Sequence, residues 1–217
     1  MAVRRRSAPC EVLLTEVVWP DGRPQFDVRS IVIEPGTIIE DDHLRVRAFP
    51  VTHRGTENFG FVFEEKSRPR MLPDRLDALD VPAGPERRRL IRGETVLLPD
   101  GRRIAPGEVL GPPQRGTRLI VVGDAADADE LLEEVRGADA LIIEATFLER
   151  DAAKAAERSH LTAAQAARLA RAAKVRALYL THLSGRYEQA EIEAEACAIF
   201  PGAVVARDFD RITVRAG

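Results

Sequence analysis

Four histidines stand at positions 43, 53, 160 and 182, and imidazole is the side chain best matched to proton transfer or metal ligation near neutral pH. His53 follows an apolar run in PVTHRG, and His182 follows one in LYLTHLSGRY. Asp124 follows a third in LIVVGDA. Two imidazoles and a carboxylate, each at a strand end, are an ordinary zinc ligand set, and open sites of that kind support hydrolysis. Manganese accepts the same ligand types. The three positions are far apart, unlike the compact H-E-x-x-H signal, so three unrelated loop residues are the competing reading. His160, in ERSHLTAAQAA, is a candidate for proton transfer. Glu144, which ends ALIIE, is placed to orient it. A capping or surface histidine explains His160 equally well. His43, in the polar turn EDDH, reads as surface.

The elements that must position these residues fall into three stretches. Residues 12–18, 28–33, 44–51 and 59–64 read as short strands joined by Pro/Gly turns, with Gly60 allowing a close backbone approach. Residues 65–116 hold eight prolines, many arginines and few apolar runs, and are expected to form a projecting arm without a packed core. From residue 117 the pattern is β-α-β-α. Strands are expected at 119–122, 140–143 and 175–180, with short closing strands at 203–206 and 211–214. Helices are expected at 127–135, 148–158, 163–173 and 187–198. Thr162 with Gln165 three residues on forms a capping-box pattern before the third helix. Polar residues end the strands, and α/β folds place their sites at such ends.

Composition bounds the rest. The chain has 217 residues, 45% of them hydrophobic and 31% charged, which fits a globular protein of about one domain. No apolar run is long enough to span a membrane, and no secretory signal is evident. Two cysteines, Cys10 and Cys197, cannot build a disulfide framework, so a cytoplasmic location is expected. The formal net charge is −3, yet all but three of the 32 basic residues are arginine. They cluster at Arg4 to Arg6, at Arg87 to Arg89 with Arg92, and at Arg102 with Arg103. GC-rich coding explains such a bias, and so does phosphate recognition by the guanidinium fork.

Seven segments stand in the order of a known family. They are PVTHRGTENFGFVFEEK, LDALDVPAGPERRRLIRGETVLLPDGRRIAPGEVLGPP, LIVVGDA, LIIEATF, SHLTAAQAA, LTHLSGRY and FPGAVVARDF. From about residue 31 to 214 the chain resembles the C-terminal part of bacterial ribonuclease Z, a tRNA 3′-endonuclease of the metallo-β-lactamase superfamily. The resemblance implies an α/β fold, the αββα sandwich of that superfamily, here with its second half and some strands of the first in a single partial domain. It implies that His53 and His182 bind metal and that Asp124 bridges two zinc ions. His160 is implied as the histidine near the scissile phosphate, with Glu144 as its supporting acid. Ser184 and Arg186 are implied as substrate contacts. The arm, with Pro82, Gly84, Pro85, Arg87, Arg88, Arg89 and Arg92, is implied as an exosite that grips tRNA, typically on a homodimer.

One departure is large. The family's H-x-H-x-D-H, which supplies most of the metal ligands, is absent from the sequence. The expectation is therefore a fragment or half of a split enzyme, binding metal poorly and cutting slowly or not at all unless a separate chain supplies the motif. Ala125 also stands where the family usually has threonine. The leading expectation is a metal-dependent endoribonuclease that removes the 3′ trailer of precursor tRNA. A non-catalytic tRNA-binding module, another hydrolase of the same fold and a poorly folding remnant are the alternatives.

Overall fold

A computed structural model of the chain describes residues 31–217. The expected strand at 12–18, most of the one at 28–33, the cluster Arg4 to Arg6 and Cys10 lie outside those residues. Residues 31–33 are not a strand, and Ile31 and Val32 are largely exposed. The first strand among the described residues instead begins at Gly36, just after Pro35, which has no N–H to give to a ladder.

Strands β1 (Gly36–Glu40), β2 (Leu44–His53) and β3 (Thr56–Glu65) form an antiparallel meander. Phe49 pairs with Gly60 across β2 and β3. A Cβ on Gly60 would lie 2.3 Å from the Phe49 ring, so the missing side chain is what admits the aromatic. The close approach anticipated at Gly60 is therefore an aromatic ring laid on the backbone.

The arm follows, on a two-stranded stalk of β4 (Arg68–Met71) and β7 (Leu110–Gln114). Between them come α1 (Pro73–Ala78), α2 (Pro85–Ile91), the hairpin β5 (Val96–Leu97) and β6 (Arg103–Ile104), and α3 (Pro106–Val109). Prolines open all three helices, where their missing N–H costs nothing. Contrary to expectation the arm has a packed core of its own. Leu76, Val81, Leu90, Val96, Leu98, Ile104 and Val109 bury one another and belong to no other cluster. The apolar residues come in stretches of one to three among prolines and arginines, so no long run in the sequence announces them.

The α/β half returns through β8 (Arg118–Val121), antiparallel to β3, and continues in parallel through β9 (Ala140–Glu144), β10 (Leu178–Thr181) and β11 (Val204–Val205). The seven-stranded sheet thus runs β1-β2-β3-β8-β9-β10-β11. Parallel neighbours need crossover connections, and these carry α4 (Leu132–Val135), α5 (Ala152–Glu157), α6 (Ala163–Ala172) and α7 (Gln189–Cys197). The helices expected at 127–135 and 148–158 are shorter, and each opens with a tight 3-10 turn, Asp129–Leu131 and Glu149–Asp151. Residues 211–214 pair with no strand among the described residues, and their partly exposed alternation finds no ladder there beyond β11.

The capping box forms as the sequence requires. Gln165 N donates to Thr162 Oγ1 at 3.1 Å, and Thr162 N to Gln165 Oε1 at 2.8 Å. Alanines 163, 166, 167 and 170 of α6 are fully buried, and their small side chains bring the helix close to the sheet. They meet Ile120, Leu141, Ile143, Leu178 and Leu180 from β8, β9 and β10, with Phe49 and Val62 completing the core. This packing fixes the C-terminal ends of β8, β9 and β10 side by side. Strand β2 points the same way, because β3 is antiparallel to both β2 and β8. No helix of the described residues is long and apolar enough to cross a membrane.

Candidate metal centre

His53 ends β2, Asp124 follows β8, Glu144 ends β9 and His182 follows β10, so the four arrive at one end of the sheet. His160 comes from the loop before α6. The backbone locks the layer, with Ala126 N donating to Thr52 O at 2.8 Å and Ala145 N to Thr181 O at 2.9 Å. His182 takes a positive φ of 52° there, a conformation that non-glycine residues hold only where the surroundings impose it.

Asp124 is the hinge of the arrangement. Its Oδ2 lies 3.7 Å from His53 Nε2, and its Oδ1 lies 3.5 Å from His182 Nε2. Both distances are too long for a hydrogen bond. Two ligands of one tetrahedral ion, each about 2.0 Å from the metal, stand roughly 3.3 Å apart. The two pairs therefore have the spacing of shared ligands, with a different carboxylate oxygen in each pair. His53 Nδ1 lies 2.8 Å from the Ser159 carbonyl, which can only accept, so Nδ1 carries the proton in neutral imidazole and Nε2 presents its lone pair toward Asp124. Asn58 Nδ2 donates to the Asp124 carbonyl at 2.6 Å and steadies its backbone. The donor set fits a divalent cation of zinc's type.

His160 sits between the other two imidazoles, its ring 5.1 Å from that of His53 and 5.2 Å from that of His182. It is buried, and its Nδ1 lies 3.0 Å from Glu144 Oε1. Glu144 has no exposed surface; Ala125 N donates to its Oε1 at 2.7 Å. His53, Asp124 and His160 form one group of close ligand atoms, and Glu144, His160 and His182 form another. His160 therefore shares the cluster that the sequence reading divided into metal and proton-transfer roles. Ala125 is itself fully buried, and its amide rather than its side chain serves the site.

Ser184 is half-buried, and its N donates to Thr146 O at 3.3 Å, which keeps the turn after His182 beside the cluster. Arg186 is exposed on the same turn. Three supporting residues were missed from the sequence: Asn58, Thr146 and Ser159. Asn58 and Thr146 lie inside quoted segments (ENF and EATF), so a signal was present there. Ser159 acts through its carbonyl, which leaves no trace in residue type.

The arm residues are elsewhere. The arm leaves from Glu65 and returns at Arg118, at the end of β3 and β8 opposite to the cluster. The ten residues of β3 separate the two by roughly 30 Å. Pro82, Gly84 and Pro85 are exposed at the entry to α2, where Gly84 takes a φ of 155° that a side chain would resist. The arginines divide. Arg87 is half-buried and its Nη2 donates to Val81 O at 2.6 Å, while its Nε donates to Pro82 O at 3.1 Å. Arg89 pairs with Glu94 at 2.8 Å. Arg88 and Arg92 are exposed and make no ion pair among the described residues.

Comparison with known proteins places the geometry in context. Residues 100–183 match the beta-lactamase superfamily domain. The chain is 48% identical over 197 residues to the ribonuclease Z of Bradyrhizobium sp. (strain ORS 278), covering 91% of this chain and 65% of that protein. It is 40% identical over 189 residues to the ribonuclease Z of Bacillus subtilis (strain 168), covering 85% and 61%. The chain thus spans less than two thirds of the length of these relatives. Among solved structures, the short form of human tRNase Z superposes with a TM-score of 0.50 at 22% identity, covering 83% of this chain and 47% of that one. The metallo-beta-lactamase fold protein YhfI from Bacillus subtilis gives 0.52 at 17%, covering 82% and 53%. The chain has the mixed α/β metallo-β-lactamase fold in part, spanning about half of those solved chains.

Proposed function

We propose that this chain, with its metallo-β-lactamase fold and its likeness to ribonuclease Z, is the part of a tRNA 3′-processing phosphodiesterase that carries one side of the metal centre and the RNA-gripping arm. The observation that supports it most is the convergence of His53 Nε2 and His182 Nε2 on the two different oxygens of Asp124. In this reading His53, Asp124 and His182 would hold divalent metal of zinc's type, with Asp124 offering one carboxylate oxygen toward each histidine. Manganese suits the same atoms. Ions bound there would polarise a phosphate oxygen and lower the pKa of water.

The remaining residues do the positioning and the proton work. Glu144 holds the Nδ1 proton of His160, which leaves Nε2, when it too is protonated, to hand that proton to the oxygen that departs from the scissile phosphate. The turn carrying Ser184 and Arg186 offers a hydroxyl and a guanidinium beside the cluster for the RNA backbone. Arg88 and Arg92 are the arm's candidates for phosphate contact, because they are exposed and make no ion pair among the described residues. Arg87 and the Pro82–Pro85 turn shape the loop that presents them. Backbone contact of this kind positions RNA without reading its sequence.

The sequence has no H-x-H-x-D-H. Two imidazoles and one carboxylate leave each of two ions short of four protein ligands. We therefore assign full activity to a homodimeric, cytoplasmic enzyme in which a further stretch of polypeptide, in the same protein or on a separate chain, supplies that motif. The 217-residue chain alone binds metal weakly in this reading.

The test is cleavage of a 3′-extended precursor tRNA by the purified chain with zinc or manganese, against a His182→Ala control. RNA binding without cleavage supports the assigned division of labour. Cleavage at the discriminator that the control abolishes means that the site works without the missing motif, and the split is then wrong. Absence of both RNA binding and cleavage removes the ribonuclease reading altogether.

A further inference from the structure

We propose that Thr146 is a positioning residue for His182, holding it as the Nδ1–H tautomer so that the Nε2 lone pair faces Asp124. Thr146 is buried, and its Oγ1 has three close neighbours. Glu144 Oε2 lies at 2.5 Å, His182 Nδ1 at 2.8 Å and the His182 carbonyl at 2.9 Å.

A hydroxyl carries one proton and two lone pairs. Two of the three neighbours are oxygens, a carboxylate and a carbonyl, and both stand as acceptors toward the hydroxyl. Giving the hydroxyl proton to Nδ1 would leave both oxygen pairs in contact with no hydrogen between them. Whichever oxygen takes the proton, Thr146 Oγ1 can meet Nδ1 only as an acceptor. Nδ1 then carries the hydrogen, and Nε2 of the neutral ring is the acceptor side. Nε2 is the atom that lies 3.5 Å from Asp124 Oδ1.

The same hydroxyl touches the His182 carbonyl, so it pins both ends of a residue held at positive φ. Behind it stands Glu144, which is fully buried and also receives Ala125 N and His160 Nδ1. One carboxylate thereby fixes the peptide after Asp124, the His160 ring and, through Thr146, the His182 ring. Partners of this second layer commonly set ligand tautomer and metal affinity. The consequence for metal rests on the function proposed above, whereas the tautomer does not.

The test begins with metal-free, 15N-histidine-labelled chain in mildly alkaline buffer, where imidazole is neutral. Long-range proton–nitrogen correlation reads each ring's tautomer. His182 is expected as Nδ1–H in the native chain. In Thr146→Val, Nδ1 loses its acceptor and the Asp124 carboxylate draws the proton to Nε2, so the ring is expected as Nε2–H or as a mixture. Thr146→Ser is expected to restore the native spectrum. Zinc titration against a chromophoric chelator should show affinity about 10- to 100-fold weaker for the valine variant and near native for serine. A native His182 already in the Nε2–H form overturns the proposal without any variant. So does a folded valine variant whose tautomer is unchanged. If no form of the chain binds zinc but the tautomer switches as described, Thr146 keeps its role and the metal reading alone fails.

Discussion

Leu90→Ala tests whether the arm is a separate folding unit. Leu90 has no exposed surface and sits in the middle of the arm's seven-residue core, which shares no member with the core under the sheet. Leucine truncation at a fully buried site costs about 3 kcal/mol, from lost transfer energy and the cavity left behind. If the arm opens on its own, that cost falls on its opening free energy alone, and exchange through the opening speeds up by about 10²-fold. Native-state hydrogen exchange by NMR gives the readout. Amides of Leu76, Val81, Leu98 and Val109 should accelerate by that factor, while those of Leu141, Ile143, Leu178 and Leu180 stay within about threefold of their native rates. Equal acceleration of both sets would mean one cooperative unit, and the separate-core reasoning would be wrong. The variant should also lose RNA affinity, because the turn at Pro82–Pro85 is carried by that core.

Three further outcomes follow from the same geometry. Glu144 is fully buried, so Glu144→Ala orphans the hydrogen bonds from Ala125, Thr146 and His160, and should cost about 4 kcal/mol, lowering Tm by roughly 10 °C in calorimetry. A drop of less than about 2 °C would show that the carboxylate anchors little. Arg88→Ala and Arg92→Ala should each weaken tRNA binding and reduce the salt slope by about one, with zinc affinity unchanged, whereas unchanged slopes would remove these residues from the interface. Glu65 is held below the usual glutamate range by hydrogen bonds from the Thr117 hydroxyl and then the Thr117 N–H. A depressed carboxylate stabilises the fold above its unfolded pKa and loses that contribution as pH falls through its folded one. The stability gap between native chain and Thr117→Val in urea melts should therefore be present at neutral pH and close below about pH 4.

What the sequence determined is local or periodic. The pattern Thr162-x-x-Gln165 specifies a helix start within four residues, and the cap forms as read. Apolar runs ending in Asp124, Glu144 and Thr181-His182 specify parallel strands whose polar ends share one edge, because period and chain direction alone decide that. The ordered segments from PVTHRG to LTHLSGRY carried the family resemblance. Gly60 signalled a close approach, although only the partner strand shows that Phe49 makes it. Pairing and packing decided the rest. Residues 211–214 alternate like a strand but find no neighbour among the described residues, and a strand is not stable without a ladder. The arm core draws Leu76, Leu90, Ile104 and Val109 together from segments too short for any period to appear. Arg87 and Arg88 are identical in type and adjacent, yet one faces backbone carbonyls and the other solvent. The contacts of Ser159 O with His53, of Asn58 with Asp124 and of Thr146 with His182 join positions far apart in the chain. Only the assembled sheet sets those distances, and hydrogen bonds and metal ligation depend on distance to within tenths of an ångström.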